Sequence, residues 1–304
     1  MFVFIILHYL AEDMTKECVK YIQNHLDMNR IRIVIVDNAS SNGSGARLKQ
    51  FYKDNEYCDV ILNDENMGFA RGNNVGYTYA KEKYDPDFMI IMNNDVLIND
   101  KTFLDKIDTV YQENNFYILG PDIISKRNNK HQNPARKENV TKEQVVKEIE
   151  SLEKALKNPF IYYIINKIKS TIRIRTRLKK VFGKTDNNMY LKKMYNPVLH
   201  GACYIFSRRY LELEKEAFDS RTFLYHEEEI LHYNCIKKNY SMIYDPILRV
   251  NHLEDVSTDE SLKINKKVKF KDNLNKSKFL NKHLLDSAKI LLDVIDKGEA
   301  IFLK

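Results

Sequence analysis

The strongest constraint in this 304-residue chain is a rhythm of short apolar runs that stop abruptly at polar residues. Ile31–Val36 reads Ile-Arg-Ile-Val-Ile-Val and breaks into Asp37-Asn38-Ala39-Ser40-Ser41. Phe88–Met92 breaks in the same way into Asn93-Asn94-Asp95. Runs this short suit strands covered on both faces better than buried helices. Phe2–Tyr9 and Val60–Leu62 supply two more strands. Between them lie helix-like stretches: Thr15–Leu26 with Thr15 or Asp13 near its cap, Leu48–Tyr52, Gly68–Lys83 and Lys101–Glu113. Strands alternating with helices predict an α/β fold whose central sheet is mainly parallel and covered by helices. Such sheets bind ligands beyond the carboxyl ends of their strands. The polar residues at those ends are therefore the first candidates for function.

After Pro121 the pattern changes. Residues 125–140 are polar and read as a loop, and 141–157 read as a charged helix. From Lys154 to Lys184 there are ten Lys or Arg and no Asp or Glu, which favours an anionic partner. Ile161, Ile164, Ile165, Ile168 and Ile172 fit a helical face, while Arg173, Arg175 and Arg177 alternate with apolar residues as in a strand; helix is the favoured reading. Order returns with Gly201–Ser207 as a strand, Glu227–Lys238 as a helix and Ser241–His252 as one or two strands. Leu284, Ala288, Leu291 and Ile295 make a helical stripe in the Lys-rich tail.

Several classes drop out on composition. Cys18, Cys58, Cys203 and Cys235 form no C-x-x-C pair, which argues against a zinc site or a disulfide framework. No apolar run approaches the ~20 residues of a membrane span. Phe2–Leu7 is too short for a secretory leader, so a cytoplasmic protein is expected.

Three strand-end motifs carry chemistry. Asp37, with Asn38 and Ser40, offers a carboxylate, an amide and a hydroxyl to a ribose or base, although the same residues also make ordinary turns. Asn66-Met67-Gly68-Phe69-Ala70-Arg71-Gly72-Asn73-Asn74 places glycines, a cation and amides at a helix start, a site for phosphate or sugar hydroxyls. Asn93-Asn94-Asp95 ends a strand with a carboxylate suited to Mg²⁺ or Mn²⁺, which take oxygen ligands. One Asp alone is a thin metal site and needs a diphosphate and a further protein group.

In order and spacing these motifs resemble glycosyltransferase family 2, the inverting enzymes with the GT-A nucleotide-binding fold. The resemblance continues in His200-Gly201-Ala202-Cys203, in Phe223-Leu224-Tyr225-His226-Glu227-Glu228-Glu229, and in Asn251-His252-Leu253 with Ser257-Thr258. It is nearest in style to rhamnosyl- and galactosyl-type transferases of bacterial surface polysaccharides. It implies a nucleotide-sugar-binding half over 1–125, a basic, helical insertion over 126–195, an acceptor and catalytic half over 196–256, and a helical extension over 257–304.

By the resemblance, Asp37, Asn38 and Ser40 bind the nucleoside. Asn66, Gly68, Arg71, Asn74 and Asn94 line the nucleotide-sugar pocket. Asp95 holds Mg²⁺ or Mn²⁺, His252 adds a second contact to the metal or to the diphosphate, and Glu228 is the base. Two departures stand out: Asn93 and Asn94 precede a single Asp95, and three Glu run together, so Glu227 or Glu229 competes with Glu228. The implied partners are a UDP- or dTDP-sugar donor and a glycan acceptor. The basic segment suits a lipid-linked acceptor at an anionic membrane, and equally a packed helix or a homo-oligomer contact. Nucleic acid is not expected, since no binding module accompanies the charge. A nucleotide-sugar pyrophosphorylase would carry a Gly-rich loop after the first strand, where His8-Tyr9-Leu10-Ala11-Glu12-Asp13 has no glycine. A non-catalytic scaffold on the same fold is the remaining alternative.

Overall fold

The structure, a computed structural model, describes residues 1–159, 188–254 and 270–302. Most of the basic block, the Ser257-Thr258 pair and the start of the tail fall at 160–187 and 255–269, outside the described residues.

The chain runs β1 (Phe2–His8), α1 (Glu12–His25), β2 (Ile31–Asp37), α2 (Ser44–Phe51), β3 (Cys58–Leu62), α3 (Gly68–Tyr84) and β4 (Phe88–Asn93). It continues with β5 (Val96–Leu97), α4 (Phe103–Asn114), β6 (Ile118–Ser125), α5 (Lys142–Lys157), β7 (Met194–Tyr195) and β8 (Cys203–Ser207). It closes with α6 (Arg208–Leu213), α7 (Glu227–Lys237), β9 (Met242–His252) and α8 (Phe270–Phe302). One sheet has the order β3-β2-β1-β4-β8-β6-β9-β5, with β7 on β9. Strands β1 to β4, β6 and β9 point one way, and β8, β5 and β7 run against them. The sheet is mainly parallel, as the apolar runs predict.

Alternation explains the two cores. Phe2, Phe4 and Ile6 of β1 pack with α1 and α4 on one face, while Val3 and Ile5 pack with α3 on the other. Each such buried side chain contributes about 1.5–3 kcal/mol. A third cluster joins Val145 of α5, Ile230 of α7, and Ala288, Leu291, Val294 and Ile295 of α8. The apolar stripe of the tail is thus the face that docks on α5 and α7.

Two sequence expectations need correction. Thr15 does not cap α1; the helix begins at Glu12, and Thr15 is buried with its hydroxyl donating to the Ala11 carbonyl at 3.1 Å. A strand also continues through Pro121, where the sequence pattern breaks. It survives because β9 absorbs the irregularity: Asp245 and Arg249 face the consecutive residues Pro121 and Asp122. Pro246, Ile247 and Leu248 therefore bulge out, and Ser241–His252 is one bent strand. A proline in a sheet is tolerated at such a bulge.

Leu291→Ala removes a fully buried side chain from the third cluster. It is expected to lower unfolding free energy in urea by about 2–5 kcal/mol. The partly buried Leu292→Ala should cost clearly less.

Candidate active site

The site begins with pairing at the far edge of the sheet. Two residues after the β4 strand end, the chain turns at Asn94 and Asp95 and runs back as β5. There Val96 sits opposite His252, and the Leu253 N–H donates to the Asp95 carbonyl at 2.9 Å. This register lays Asp95 beside His252, with His252 Nε2 at 3.2 Å from Asp95 Oδ1 and both side chains nearly buried. Among the described residues no third His, Cys, Asp or Glu joins them in a metal-binding group. A carboxylate and an imidazole facing each other fit a divalent cation whose other ligands come from water and phosphate.

Glu228 lies in the first turn of α7, where the helix dipole favours carboxylates. Its Oε1 accepts from the Gly201 N–H. A Cβ on Gly201 would fall 2.9 Å from that oxygen, so a glycine permits the approach. His200, Gly201, Glu228 and Asn93 share a cavity of about 350 Å³ that Phe69, Tyr204 and Leu284 help to wall. The His200 ring lies 6.0 Å from that of His252, which links the cavity to the Asp95 pair. Burial lowers the His200 pKa against the opposing pull of Glu228, and its Nδ1 accepts from the Ala202 N–H at 3.1 Å. The ring is therefore neutral near pH 7, with its proton on Nε2.

The three glutamates have different surroundings. Glu229 pairs with Arg136. Arg136 is fixed through its backbone, since its carbonyl accepts from the Val198 N–H at 2.9 Å, two residues before His200. Glu227 is buried, and burial raises its pKa to about 7, helped by the neighbouring charge of Glu228 and opposed by hydrogen bonds. One of its oxygens has no hydrogen-bond partner.

The other edge of the site is a polar relay over the ends of β4, β1 and β2. Asn94 Nδ2 donates to Thr15 Oγ1 at 3.0 Å, Thr15 Oγ1 is 2.7 Å from His8 Nδ1, and His8 Nε2 is 2.8 Å from Ser44 Oγ. His8 is buried, which lowers its pKa, and it lies 3.8 Å from Asp37. Asp37 accepts the Ser40 hydroxyl at 2.5 Å, and a Cβ on Gly45 would fall 2.0 Å from its carboxylate. Asp37 ends β2, two strands from the end of β4, a separation of about 10 Å.

Asn38 and Asn66 organise the entry to α3. Asn38 Nδ2 donates to Asn66 Oδ1 and to the Gly68 carbonyl, both at 3.0 Å. Gly68 has φ +77°, and a Cβ there would lie 2.2 Å from the Phe223 carbonyl. Through that contact, and the 2.7 Å bond from the Phe69 N–H to the same oxygen, α3 docks on the segment leading into α7. Arg71, half-buried one turn into α3, has no ion pair or side-chain hydrogen bond among the described residues. Asn74 is not brought to this group; its amide bonds the backbone of Ala217 and Phe218 at 2.8–3.1 Å. His8, Gln132 and Arg136 were not singled out from the sequence, and Thr15 was read there only as a helix cap. His200, preceding Gly201, stood in a motif.

The sequence profile of glycosyl transferase family 2 matches residues 3–213. The chain belongs to that family. The match stops before Glu228 and His252, so geometry alone connects these two to the matched part. A relative by sequence is the low-salt glycan biosynthesis hexosyltransferase Agl10 of Haloferax volcanii, 28% identical over 124 residues. That stretch is 40% of this chain and only 36% of the relative. The fold is similar to S. aureus TarS 1–349 (TM-score 0.52, 11% identity, 93% of this chain and 71% of that one). It is also similar to the mannosyltransferase PcManGT from Pyrobaculum calidifontis, solved with GDP-Man and Mn²⁺ (TM-score 0.52, 12% identity, 99% and 78%). GalNAc-T7, solved with UDP, GalNAc and Mn²⁺, is a third such fold (TM-score 0.53, 12% identity, 84% and 43%). These likenesses establish the GT-A fold. Among the described residues no helix is long and apolar enough to cross a membrane.

Glu227 gives a pH signature. Its folded pKa is raised from 4.5 to about 7, so its neutral form is the one folding favours. The wild type should therefore lose stability relative to Glu227→Gln as pH rises from about 4.5 through 7. The full difference is about 3 kcal/mol. Urea unfolding of both proteins at pH 5 and pH 8 measures it; equal gaps at the two pH values would remove the claim.

Proposed function

We propose that this chain is an inverting glycosyltransferase that moves a sugar from a nucleoside diphosphate to an acceptor hydroxyl. The observation that carries it is the grouping of the Asp95–His252 pair and Glu228 around one end of the sheet, linked by His200. In this reading Asp37 and Ser40 hold the nucleoside, and Arg71, with the α3 N-terminus at Asn66 and Gly68, meets the diphosphate. Asn38, Asn74 and Asn94 act as ties that set the loops, since their amides are already hydrogen-bonded within the protein. Asp95 and His252 would hold Mg²⁺ or Mn²⁺, which supplies positive charge for the departing diphosphate. The Mn²⁺ in the structures of PcManGT and GalNAc-T7 supports that assignment.

Glu228 is the base. Glu229 is neutralised by Arg136, and Glu227 has a pKa near neutrality. Glu228 is held by one N–H on the cavity wall. It takes the proton of the acceptor hydroxyl as that oxygen bonds the anomeric carbon. The bond from that carbon to the diphosphate oxygen breaks on the opposite face, and the centre inverts.

A UDP- or dTDP-sugar donor and a rhamnosyl- or galactosyl-type transfer to a lipid-linked surface glycan follow from the motif resemblance. The basic, apolar-interleaved stretch from Lys154 to Lys184 supports an acceptor at an anionic membrane surface. The single Asp95, with no group of three or more possible metal ligands among the described residues, is the observation behind the scaffold alternative.

Transfer and donor hydrolysis, assayed over UDP-, dTDP- and GDP-sugars with Mn²⁺, test the proposal. Glu228→Gln should lower kcat by about 10²–10⁴-fold while calorimetry shows donor binding close to wild type. Full activity in Glu228→Gln with loss in Glu227→Gln would move the base by one residue. Turnover unaffected by Asp95→Ala would overturn the metal assignment. No turnover of any donor by the wild type would favour the scaffold.

A further inference from the structure

The polar stretch His131–Arg136 reads in the sequence as plain loop, yet it touches His252, His200 and Glu229 on one side of the site. Asn133 Oδ1 accepts from the His200 N–H at 2.9 Å, and its Nδ2 donates to the Pro121 carbonyl at 2.6 Å. Arg136 pairs with Glu229. Gln132 lies between Glu254 and His252, and its two contacts have a polarity that chemistry fixes.

Gln132 Nε2 donates to Glu254 Oε1 at 2.5 Å. A carboxylate only accepts, so the amide nitrogen must face it. Turning the amide over would press two oxygens together. The Gln132 carbonyl oxygen is therefore left toward the imidazole, 2.8 Å from His252 Nδ1. That oxygen cannot donate, so Nδ1 must carry a proton. The lone pair of the neutral ring then sits on Nε2, which faces Asp95 at 3.2 Å. The backbone adds to the clamp, because the Gln132 N–H donates to the Ile123 carbonyl at 2.8 Å and the Lys126 N–H to the His252 carbonyl at 2.8 Å.

We propose that Gln132 is a positioning residue that locks His252 in its Nδ1–H form and so presents Nε2, beside Asp95, as a ligand for a divalent cation. The inference rests on the metal assignment of Asp95 and His252 made above. Partners that accept the outer N–H of a ligating histidine fix its tautomer and orientation, and their loss costs 10–100-fold in metal affinity. An acceptor on Nδ1 is needed here for a specific reason. Without it the proton is drawn to Nε2, where the Asp95 carboxylate accepts it, and the ligand lone pair is lost to the pair's own hydrogen bond.

The test uses the full chain labelled with ¹⁵N-histidine, with the His252 signals assigned by their loss in His252→Gln. In the metal-free wild type at alkaline pH, the nitrogen shifts should report the Nδ1–H tautomer. In Gln132→Leu the proton should move to Nε2, and the dissociation constant for Mn²⁺ alone, read by electron paramagnetic resonance, should rise about 10–100-fold. Gln132→Glu combined with Glu254→Gln, which reverses the amide–carboxylate pair and leaves a carboxylate oxygen to accept the same proton, should keep the tautomer and bind Mn²⁺ close to wild type. A wild-type ring with its proton on Nε2 overturns the inference without any variant. So does a Gln132→Leu protein with unchanged tautomer and Mn²⁺ affinity. Asp95→Ala separates the two claims: unchanged Mn²⁺ binding there removes the metal assignment, whereas lost binding there with an indifferent Gln132→Leu removes only the role of Gln132.

Discussion

The site depends on the register of a two-residue strand. Asp95 and His252 are far apart in the chain and meet only because Val96 pairs with His252 and Leu97 with Asn251. So short a strand has little pairing of its own. It is held by its surroundings: Val96 is fully buried, the Cys18 thiol donates to the Val96 carbonyl at 3.3 Å, and the Leu253 N–H closes on Asp95. A shift of one residue would turn every side chain of β5 to the opposite face. The carboxylate then would no longer meet the imidazole. The same rigidity runs into the pairing with β6, where the bulge on β9 sets how far β9 has advanced when it reaches His252.

Much of the fold could be read from the chain because the relevant signal is local. Strands β1, β2 and β4 are continuous apolar runs, and burial on both faces of a parallel sheet requires such runs. Their polar ends fall on one edge by topology alone, so Asp37 and Asp95 could be named as strand-end residues before any geometry was known. What stayed hidden depended on distant partners. The bulge that lets β6 pass Pro121 lies on β9, more than a hundred residues later. Thr15 looks like a capping residue, but His8 and Asn94 draw its hydroxyl inward. Gln132 and Asn133 sit among turn formers with no periodicity, so nothing local sets them apart from loop residues. The amides of Asn38 and Asn74 looked equally free in the sequence, while in the fold one ties the α3 entry and the other ties Ala217 and Phe218.

The two halves of the molecule share one sheet and its two cores, and a further set of contacts joins the strand-end loops to the C-terminal helix near the cavity. Gly68 lets α3 press on the Phe223 carbonyl. From the other side, α8 stacks His283 on Phe223 at 4.2 Å, and Ser287 donates to the Leu224 carbonyl at 2.9 Å. The segment entering α7 is therefore gripped by the strand-end loops and by the C-terminal helix at once. Leu284 of α8 reaches the same cavity wall as Glu228. The helical tail is thus part of the structure that shapes the cavity.

Three identical side chains in a row show how far environment outweighs identity. Glu227, Glu228 and Glu229 all stand at the α7 N-terminus and share its dipole, which stabilises each anion. Three unscreened charges there would repel one another, and the fold resolves this one residue at a time. Arg136 cancels the charge of Glu229, and burial leaves Glu227 partly protonated near neutral pH. Glu228 takes one backbone N–H and faces the cavity. Arg136 and Gly201 both extend from the backbone around Val198, so one platform neutralises one glutamate and aims its neighbour. A helix start rich in carboxylates is common for dipole reasons alone. What sets this one apart is that its three groups have been driven into three different electrostatic states.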